Sequence, residues 1–476
     1  MIQSGVAEAA RNARPLIAAR YPEDTVSCAW LLDLTEQDDV RRWRPIGGKV
    51  DMRLVRTSRR MRAGVHGLGP GLITGVADDD PSGISTYTIT GATQGYQLLW
   101  LSLVTLPMNI AVQSICARIG LVRGQGLARV IGERYGRNWL WPVVALLFIA
   151  NVVNIGADIL AIAAAIDLLT PIPARWMVVP VGVGITLVEV IVPYPRFAHY
   201  LKLLTLVIFA YVLGAFVANP DWGAAFRATV VPSADWSGAT IQTIVAILGT
   251  TISPYLFFWQ ASEEVEEEAQ QGILPGGAET ERIAPLIRAA RVDVALGMVL
   301  ANVGFFFVVL TSAATLHASG RTDIETAAQA AEALRPLAGN AASLLFAVGI
   351  IGTGLLAIPT LAGSAAYAAS ELFDWPEGLN NTFRRAPQFY GLIALATFLG
   401  IALTFTSLGE IRALYLAAIV NGLIAPILLV VIMLLAGDRS VLGRNTAGRI
   451  ARIVGWVATA AMLLASLVLL AGLLPV

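Results

Sequence analysis

Eleven stretches of about twenty mostly apolar residues recur along the chain, each long enough to cross the hydrocarbon core of a bilayer as a helix. They centre on 69–94, 98–119, 139–166, 174–194, 200–218, 239–262, 291–316, 341–368, 387–406, 411–436 and 449–474. Lipid offers the backbone no hydrogen-bond partners, so a spanning segment must satisfy its own amides, and uninterrupted runs of this length do so as helices. An all-α integral membrane protein with 11 transmembrane helices is expected. Only 14% of the 476 residues are charged, against about a quarter in soluble domains.

Lys and Arg in the short loops set the expected orientation. Arg53, Arg56, Arg59, Arg60 and Arg62 precede the first span, and Arg118, Arg123, Arg129, Arg134 and Arg137 lie between the second and third. Arg196 and Lys202 follow the fourth span, Arg384 and Arg385 the eighth, and Arg439, Arg444 and Arg449 the tenth. The intervening loops are poor in both types. The N-terminus is therefore expected on the cytoplasmic side and the C-terminus outside, with the plasma membrane as the location. Residues 1–65 read as a cytoplasmic tail, and their first fifty as either disordered or an over-extended start. Their longest apolar moment, Trp30-Leu31-Leu32, is too short for a signal peptide.

Within the first span stands "GVADDDPSG", three acids in a row followed by a proline and a glycine. Pro81 removes a backbone donor and disfavours helical geometry at Asp80, while Gly83 gives the chain freedom to turn. Charges at mid-membrane cost a few kcal/mol each and mark function more often than structure. The sixth span carries a second interruption, "ILGTTISPYLFFWQ", with Pro254 after Thr250, Thr251 and Ser253. Spans one and six each open a block of five, so the interruptions occupy matching places in two halves. Such paired breaks point to an inverted-repeat transporter with its site near the membrane midplane. The halves are expected at about 66–220 and 236–436, followed by an extra helix at about 447–474.

A helix that stops leaves carbonyls unsatisfied at its C-terminal end, where the dipole is negative. An acid beside such carbonyls makes a cation site. Asp80 would supply the charge, the carbonyls near Ala77 and Thr250 neutral oxygens, and Ser253 or Thr251 a hold on bound water. Hard divalent ions such as Mg²⁺ and Mn²⁺ prefer oxygen donors of this kind.

At these residues the chain resembles the Nramp family of divalent-metal transporters, over about residues 66–470. The likeness includes "GPGLITGVADDDPSG", "GATQGYQLLW" and "ARIGLVRGQGLARVIGERYG". The family carries Asp-Pro-Gly-Asn in span one and Met-Pro-His in span six. Asp80, Pro81 and Pro254 match; Ser82 replaces the Gly, Gly83 the metal-binding Asn, Ser253 the metal-binding Met and Tyr255 the His. The resemblance implies the LeuT-like fold of sodium-coupled amino-acid transporters, a 5+5 inverted repeat with discontinuous helices 1 and 6. It also implies metal contacts at Ala77, Asp80, Gly83, Thr250 and Ser253. Asp78, Asp79, Thr251, Tyr255 and Asn421 would stand behind these or line the approach.

The departures carry information. A thioether favours softer transition metals, so its loss weakens selection against Mg²⁺. The small Gly83 and Ser253 would leave room for an ion that keeps part of its water. Both features resemble the Nramp-related magnesium transporter branch. Proton coupling in the family relies partly on the span-six His and an acid in span three. Tyr255 does not titrate near neutral pH; Asp158 matches the acid, and Ala161 stands where many relatives have a second carboxylate. Weak or absent proton coupling is expected, with Asp158 either relaying protons or closing a polar network with Asn151 and Asn154.

Alternatives remain open at this level: a proton-coupled Mn²⁺/Fe²⁺ symporter, or an organic-solute transporter of the same fold. An enzyme is not expected, because no nucleophile–base pair or metalloprotease spacing occurs. Zero net charge gives no pull toward nucleic acid, and no GxxxxGK[ST] motif suggests a nucleotide. No cofactor is expected beyond the transported cation, and the sequence names no protein partner. Cys28 and Cys116 are too far apart in kind and place to suggest a disulfide. None of the histidines His66, His199 and His317 falls mid-span, which disfavours a histidine metal site. "SEEVEEE", Ser262 to Glu268, reads as a solvated helix end paired with Arg282, Arg288 and Arg291. Glu189 reads as an interfacial acid near Arg196.

Overall fold

The structure, a computed structural model, describes residues 69–192, 209–270, 283–405 and 409–472. Expectations for residues 1–65, including Cys28 and His66, and for His199 fall outside them. The described residues contain no strand, as the hydropathy pattern requires.

Fifteen helices carry the architecture. They are α1 (Pro70–Asp78), α2 (Pro81–Gln94), α3 (Trp100–Arg123), α4 (Leu127–Tyr135), α5 (Arg137–Leu169), α6 (Ala174–Ile191), α7 (Phe209–Ala218) and α8 (Trp222–Val230). There follow α9 (Gly238–Thr251), α10 (Pro254–Gln270), α11 (Ile283–Ser312), α12 (Ala342–Phe373), α13 (Pro387–Thr404), α14 (Glu410–Gly437) and α15 (Arg449–Gly472). Among the described residues nine helical runs are long and apolar enough to cross a membrane. The first expected span is not among them because it is two shorter helices, α1 and α2; of the fifth, only the part from Phe209 is described. Large apolar side chains such as Leu464, Ile450 and Phe398 face outward, as lipid contact demands.

The breaks follow from local chemistry. Pro81 begins α2, where a missing N–H costs nothing, and it holds Asp80 in extended geometry with φ −67° and ψ 172°. Pro254 begins α10 in the same way, and α9 ends at Thr251, capped by Ile252 with φ −116° and ψ 61°.

Packing then brings the broken spans together. α1 lies along α11, α9 along α14, and α12 along α5. Two of these contacts require glycine. A Cβ on Gly75 would stand 2.2 Å from the Gly297 backbone, and one on Gly249 would stand 2.1 Å from the Ala418 carbonyl. With no hydrophobic force between helices in lipid, such close backbone approach is what helix association rests on.

Three of the described basic residues meet acids at one end of the bundle. Arg129 and Arg137 pair with Asp374, beyond the end of α12, and Arg134 pairs with Asp438, beyond α14. At the same end Glu371 accepts the Arg129 amide at 3.0 Å, fastening the start of α4.

The acidic run 262–268 is not the solvated helix end expected from sequence. Glu263, Glu264 and Glu268 are buried. Glu266 accepts from the Tyr367 hydroxyl and from the amides of Leu379 at 2.8 Å and Asn380 at 3.2 Å. Neither Arg288 nor Arg291 forms an ion pair with a described residue, and Arg282 lies outside the described residues. The segment after α12 folds over this helix end and supplies donors in place of water. Glu189 is likewise buried, in the last turn of α6; its expected neighbour Arg196 is outside the described residues.

Candidate cation site

The two helix breaks meet. The Ser82 hydroxyl of α2 lies 3.3 Å from the Thr250 hydroxyl of α9, and the Tyr255 hydroxyl of α10 donates to the Ala77 carbonyl of α1 at 2.7 Å. Asp80, Ser82, Thr250, Ser253 and Tyr255 are all buried. The residues singled out in spans one and six therefore form one constellation.

Its polarity differs from the sequence expectation at Asp80. Rather than standing beside helix C-terminal carbonyls alone, Asp80 is the N-cap of α2. Its Oδ1 accepts from the Gly83 amide at 2.7 Å and the Ser82 hydroxyl at 2.8 Å. A carboxylate at the positive end of a helix is favourably placed, and these donors fix its direction. The single hydrogen of the Ser253 hydroxyl is shared between the carbonyls of Gly249 at 2.9 Å and Thr250 at 2.8 Å, which leaves its oxygen only as an acceptor. Freed carbonyls in an apolar setting bind the nearest hydroxyl, and Ser253 is within reach.

Gly83 sits among oxygens. A Cβ built there would lie 3.3 Å from the Asp78 carbonyl, 3.3 Å from Thr250 Oγ1 and 3.5 Å from Asp80 Oδ1. The room expected at Gly83 is narrowed by this close approach. Among the described residues no trio of His, Cys, Asp and Glu gathers as a metal cluster. The donor set is one carboxylate with hydroxyl and carbonyl oxygens.

Around this centre lie the remaining candidates. Asp79 caps α1 and is buried. Asp78 accepts from the Asn109 side-chain amide at 3.1 Å. The Thr251 hydroxyl turns back to the Ile247 carbonyl at 2.7 Å. Asn421 does not face the centre freely: it exchanges hydrogen bonds with Asn154 at 2.9 and 3.1 Å, because both amides are buried and each completes the other. Asp158 is fully buried and makes no hydrogen bond to a described residue. The closed network with Asn151 and Asn154 is absent, since Asn151 donates to the Leu361 carbonyl instead. His317 lies at the end of its span with Nδ1 2.8 Å from the Ala92 carbonyl.

Two residues around this centre escape a motif reading: Asn109 and Tyr87, which stacks on Phe305 with ring centroids 4.6 Å apart. Asn109 had a usable signal, a lone carboxamide in the apolar run "LPMNIAV". Tyr87 had none, since an aromatic in a span is ordinary.

The family model for natural resistance-associated macrophage protein-like proteins, Nramp, matches residues 71–472. The chain belongs to the Nramp family. It is therefore a multi-pass membrane transporter rather than an enzyme. It is 29% identical over 397 residues to a protein named divalent metal cation transporter MntH from Deinococcus radiodurans, covering 82% of this chain and 86% of that protein. A protein of the same name from Pectobacterium carotovorum is 25% identical over 417 residues, covering 86% and 94%. Among solved structures, the Eremococcus coleocola manganese transporter superposes with TM-score 0.65 at 20% identity, covering 84% of this chain and 85% of that one. Mhp1, a nucleobase-cation-symport-1 family transporter, superposes with TM-score 0.53 at 14% identity, covering 85% and 93%. These two likenesses show the fold, which is that of Nramp and LeuT-like transporters.

Proposed function

We propose that the chain carries divalent cations, Mg²⁺ and Mn²⁺, inward across the plasma membrane by alternating access, with weak or no proton coupling. The halves 66–220 and 236–436 act as an inverted repeat, the basic end faces the cytoplasm, and spans one and six part to admit a partly hydrated ion. The observation that carries this reading is the meeting of the two breaks around Gly83, where Asp80 Oδ1, Thr250 Oγ1 and the Asp78 carbonyl converge. Every donor is a hard oxygen, and sulfur is absent from the positions where the family places it. This pattern supports the magnesium-carrying branch. Two relatives named for divalent metal, and a fold neighbour named for manganese, support the broader cargo class.

An organic-solute cargo is disfavoured on electrostatic grounds. Amino-acid carriers of this fold offer a helix N-terminus to the substrate carboxylate. Here the N-terminus of α2 is already occupied by the Asp80 carboxylate. A proton-coupled Mn²⁺/Fe²⁺ symporter is the second reading. It is favoured by one observation, the buried Asp158 carboxylate without a hydrogen-bond partner among the described residues.

Transport of Mg²⁺ and Mn²⁺ into proteoliposomes by wild type and Asp80→Asn, with and without a pH gradient, tests both. The reading expects uptake of both ions, its loss in Asp80→Asn, and little internal acidification. Intact Mn²⁺ uptake by Asp80→Asn overturns the site, and acidification that scales with the gradient selects the second reading.

A further inference from the structure

Helix α1 does not cap itself. Its N-cap is Gly69, which has no side chain, so the first amides of the helix need an acceptor from elsewhere. Asp293 of α11 provides it: Oδ1 accepts from the Gly69 amide at 3.1 Å and Oδ2 from the Gly71 amide at 2.7 Å. These bonds join separate spans, so they break whenever α1 leaves α11. At its other end α1 is tied to the unbroken α3, where Asp78 accepts from Asn109 at 3.1 Å. Between the two ends, Thr74 shares its hydroxyl hydrogen between the Pro70 carbonyl at 2.8 Å and Gln260 Oε1 at 2.6 Å, and Ala77 accepts from Tyr255. Gln260 and Tyr255 both belong to α10, one half of the other broken span.

We propose that Asp293 is a positioning residue for transport: it latches the N-terminal half of span one against α11, and releases the Gly69 and Gly71 amides each time the mouth at that end opens. This latch rests on the alternating-access reading above and names the contact that times one of its gates. Length makes the contact decisive. A helix of nine residues is too short to hold its shape by its own hydrogen bonds, so what fastens its free end governs where it lies. Position adds leverage. The Asp78 tie sits beside the break and serves as a pivot, whereas Asp293 holds the far end, where a small rotation moves the chain most. The bonds are also replaceable. Gly69 and Asp293 are half-buried, so water entering an opening mouth takes over both the amides and the carboxylate at small net cost. At the opposite mouth the broken spans meet through the Thr240 hydroxyl of α9, which donates to the Gln94 side-chain carbonyl of α2 at 3.2 Å.

Thiol labelling reads the two gates separately, in purified full-length protein that carries Cys28→Ala and Cys116→Ala. Thr74→Cys reports the contact between α1 and α10, and Thr240→Cys the contact between α9 and α2; both threonines are fully buried. Labelling rates with a water-soluble maleimide, in the absence of divalent cation, are compared for Asp293, Asp293→Asn and Asp293→Leu. Asp293→Leu is expected to speed labelling at position 74 about tenfold, the equivalent of one or two lost charge-assisted hydrogen bonds, and to leave position 240 unchanged or slower. Asp293→Asn keeps one acceptor and is expected to fall between; it gives the answer if Asp293→Leu does not elute as monodisperse protein. An unchanged rate at position 74 in folded variants overturns the latch. So does an equal rise at both positions, which is the mark of a loosened fold. Mn²⁺ uptake by proteoliposomes adds a second readout. At a fixed amount of folded protein, KM for external Mn²⁺ is expected to rise severalfold in Asp293→Leu, because fewer carriers face outward. A lower kcat beside an unchanged KM overturns the assignment. Absence of Mn²⁺ uptake by wild type removes the divalent reading, while the labelling, which needs no cation, still decides the latch.

Discussion

The Tyr255 hydroxyl donates a 2.7 Å hydrogen bond to the Ala77 carbonyl, and so ties the start of α10 to the last turn of α1 across the two helix breaks. The tyrosine stands where the family has a histidine that can titrate. Here the same position supplies a neutral donor to the Ala77 carbonyl, which the proposed site assigns to the metal.

Tyr255→Phe is therefore expected to leave the Ala77 carbonyl buried and unpaired, at a cost of about 1–3 kcal/mol in the metal-free protein. A bound dication satisfies the same oxygen, so Mn²⁺ should raise the melting temperature more in the variant than in wild type. Thermal unfolding with and without Mn²⁺ measures this. An equal metal-induced shift in both proteins contradicts the assignment of Ala77 as a ligand.

Gly83→Ala places a methyl group 3.3 to 3.5 Å from three oxygens of the centre. The expected result is a loss of divalent affinity of about tenfold or more, equivalent to ~1.4 kcal/mol, with the fold retained. Gly184→Ala is the control, because a Cβ there meets nothing within 4 Å. Isothermal titration with Mn²⁺ decides the comparison.

Gly75→Ala acts on stability instead. Its methyl would fall 2.2 Å from the backbone of Gly297, and backbone cannot swing aside as a side-chain tip does. The cost should reach or exceed the ~1–3 kcal/mol typical of overpacking. It is read as a lower melting temperature and a lower yield of monodisperse protein.

Outside the membrane spans, the Arg134 side chain hydrogen-bonds Asp438 and lowers its carboxyl from the ordinary 3.8 to about 2. A depressed folded-state pKa stabilises above the ordinary value and is lost as pH falls through the folded one. Wild type and Arg134→Met should then differ by a small, constant margin from pH 5 upward. The margin should shrink between about pH 4 and pH 2. Melting temperatures across that range, at low salt, test the sign.

Much of the site was legible because its chemistry lies in short consecutive stretches. "DDDPSG" and "TTISPY" announce an extended residue before a proline, spare hydroxyls and an acid in lipid, and each consequence appears at Asp80, Ser82 and Thr250. Whether a given oxygen is free was not legible. Ser253 bonds the last carbonyls of α9, Asn421 is taken by Asn154 from 267 residues away, and Glu266 is covered by the segment after α12. Hydropathy marks a polar residue in lipid but not the partner that satisfies it.

By itself the sequence determined that the chain must be a bundle of membrane helices with two of them interrupted, since hydrocarbon forbids unpaired backbone and proline forbids an unbroken ladder. Only the tertiary structure decided that the two interruptions touch, that Asp80 caps one half-helix, and that Asp78 meets the side-chain amide of Asn109 from α3. Those outcomes depend on glycine-to-backbone contacts between spans far apart in the chain, where tenths of an ångström determine which oxygens meet.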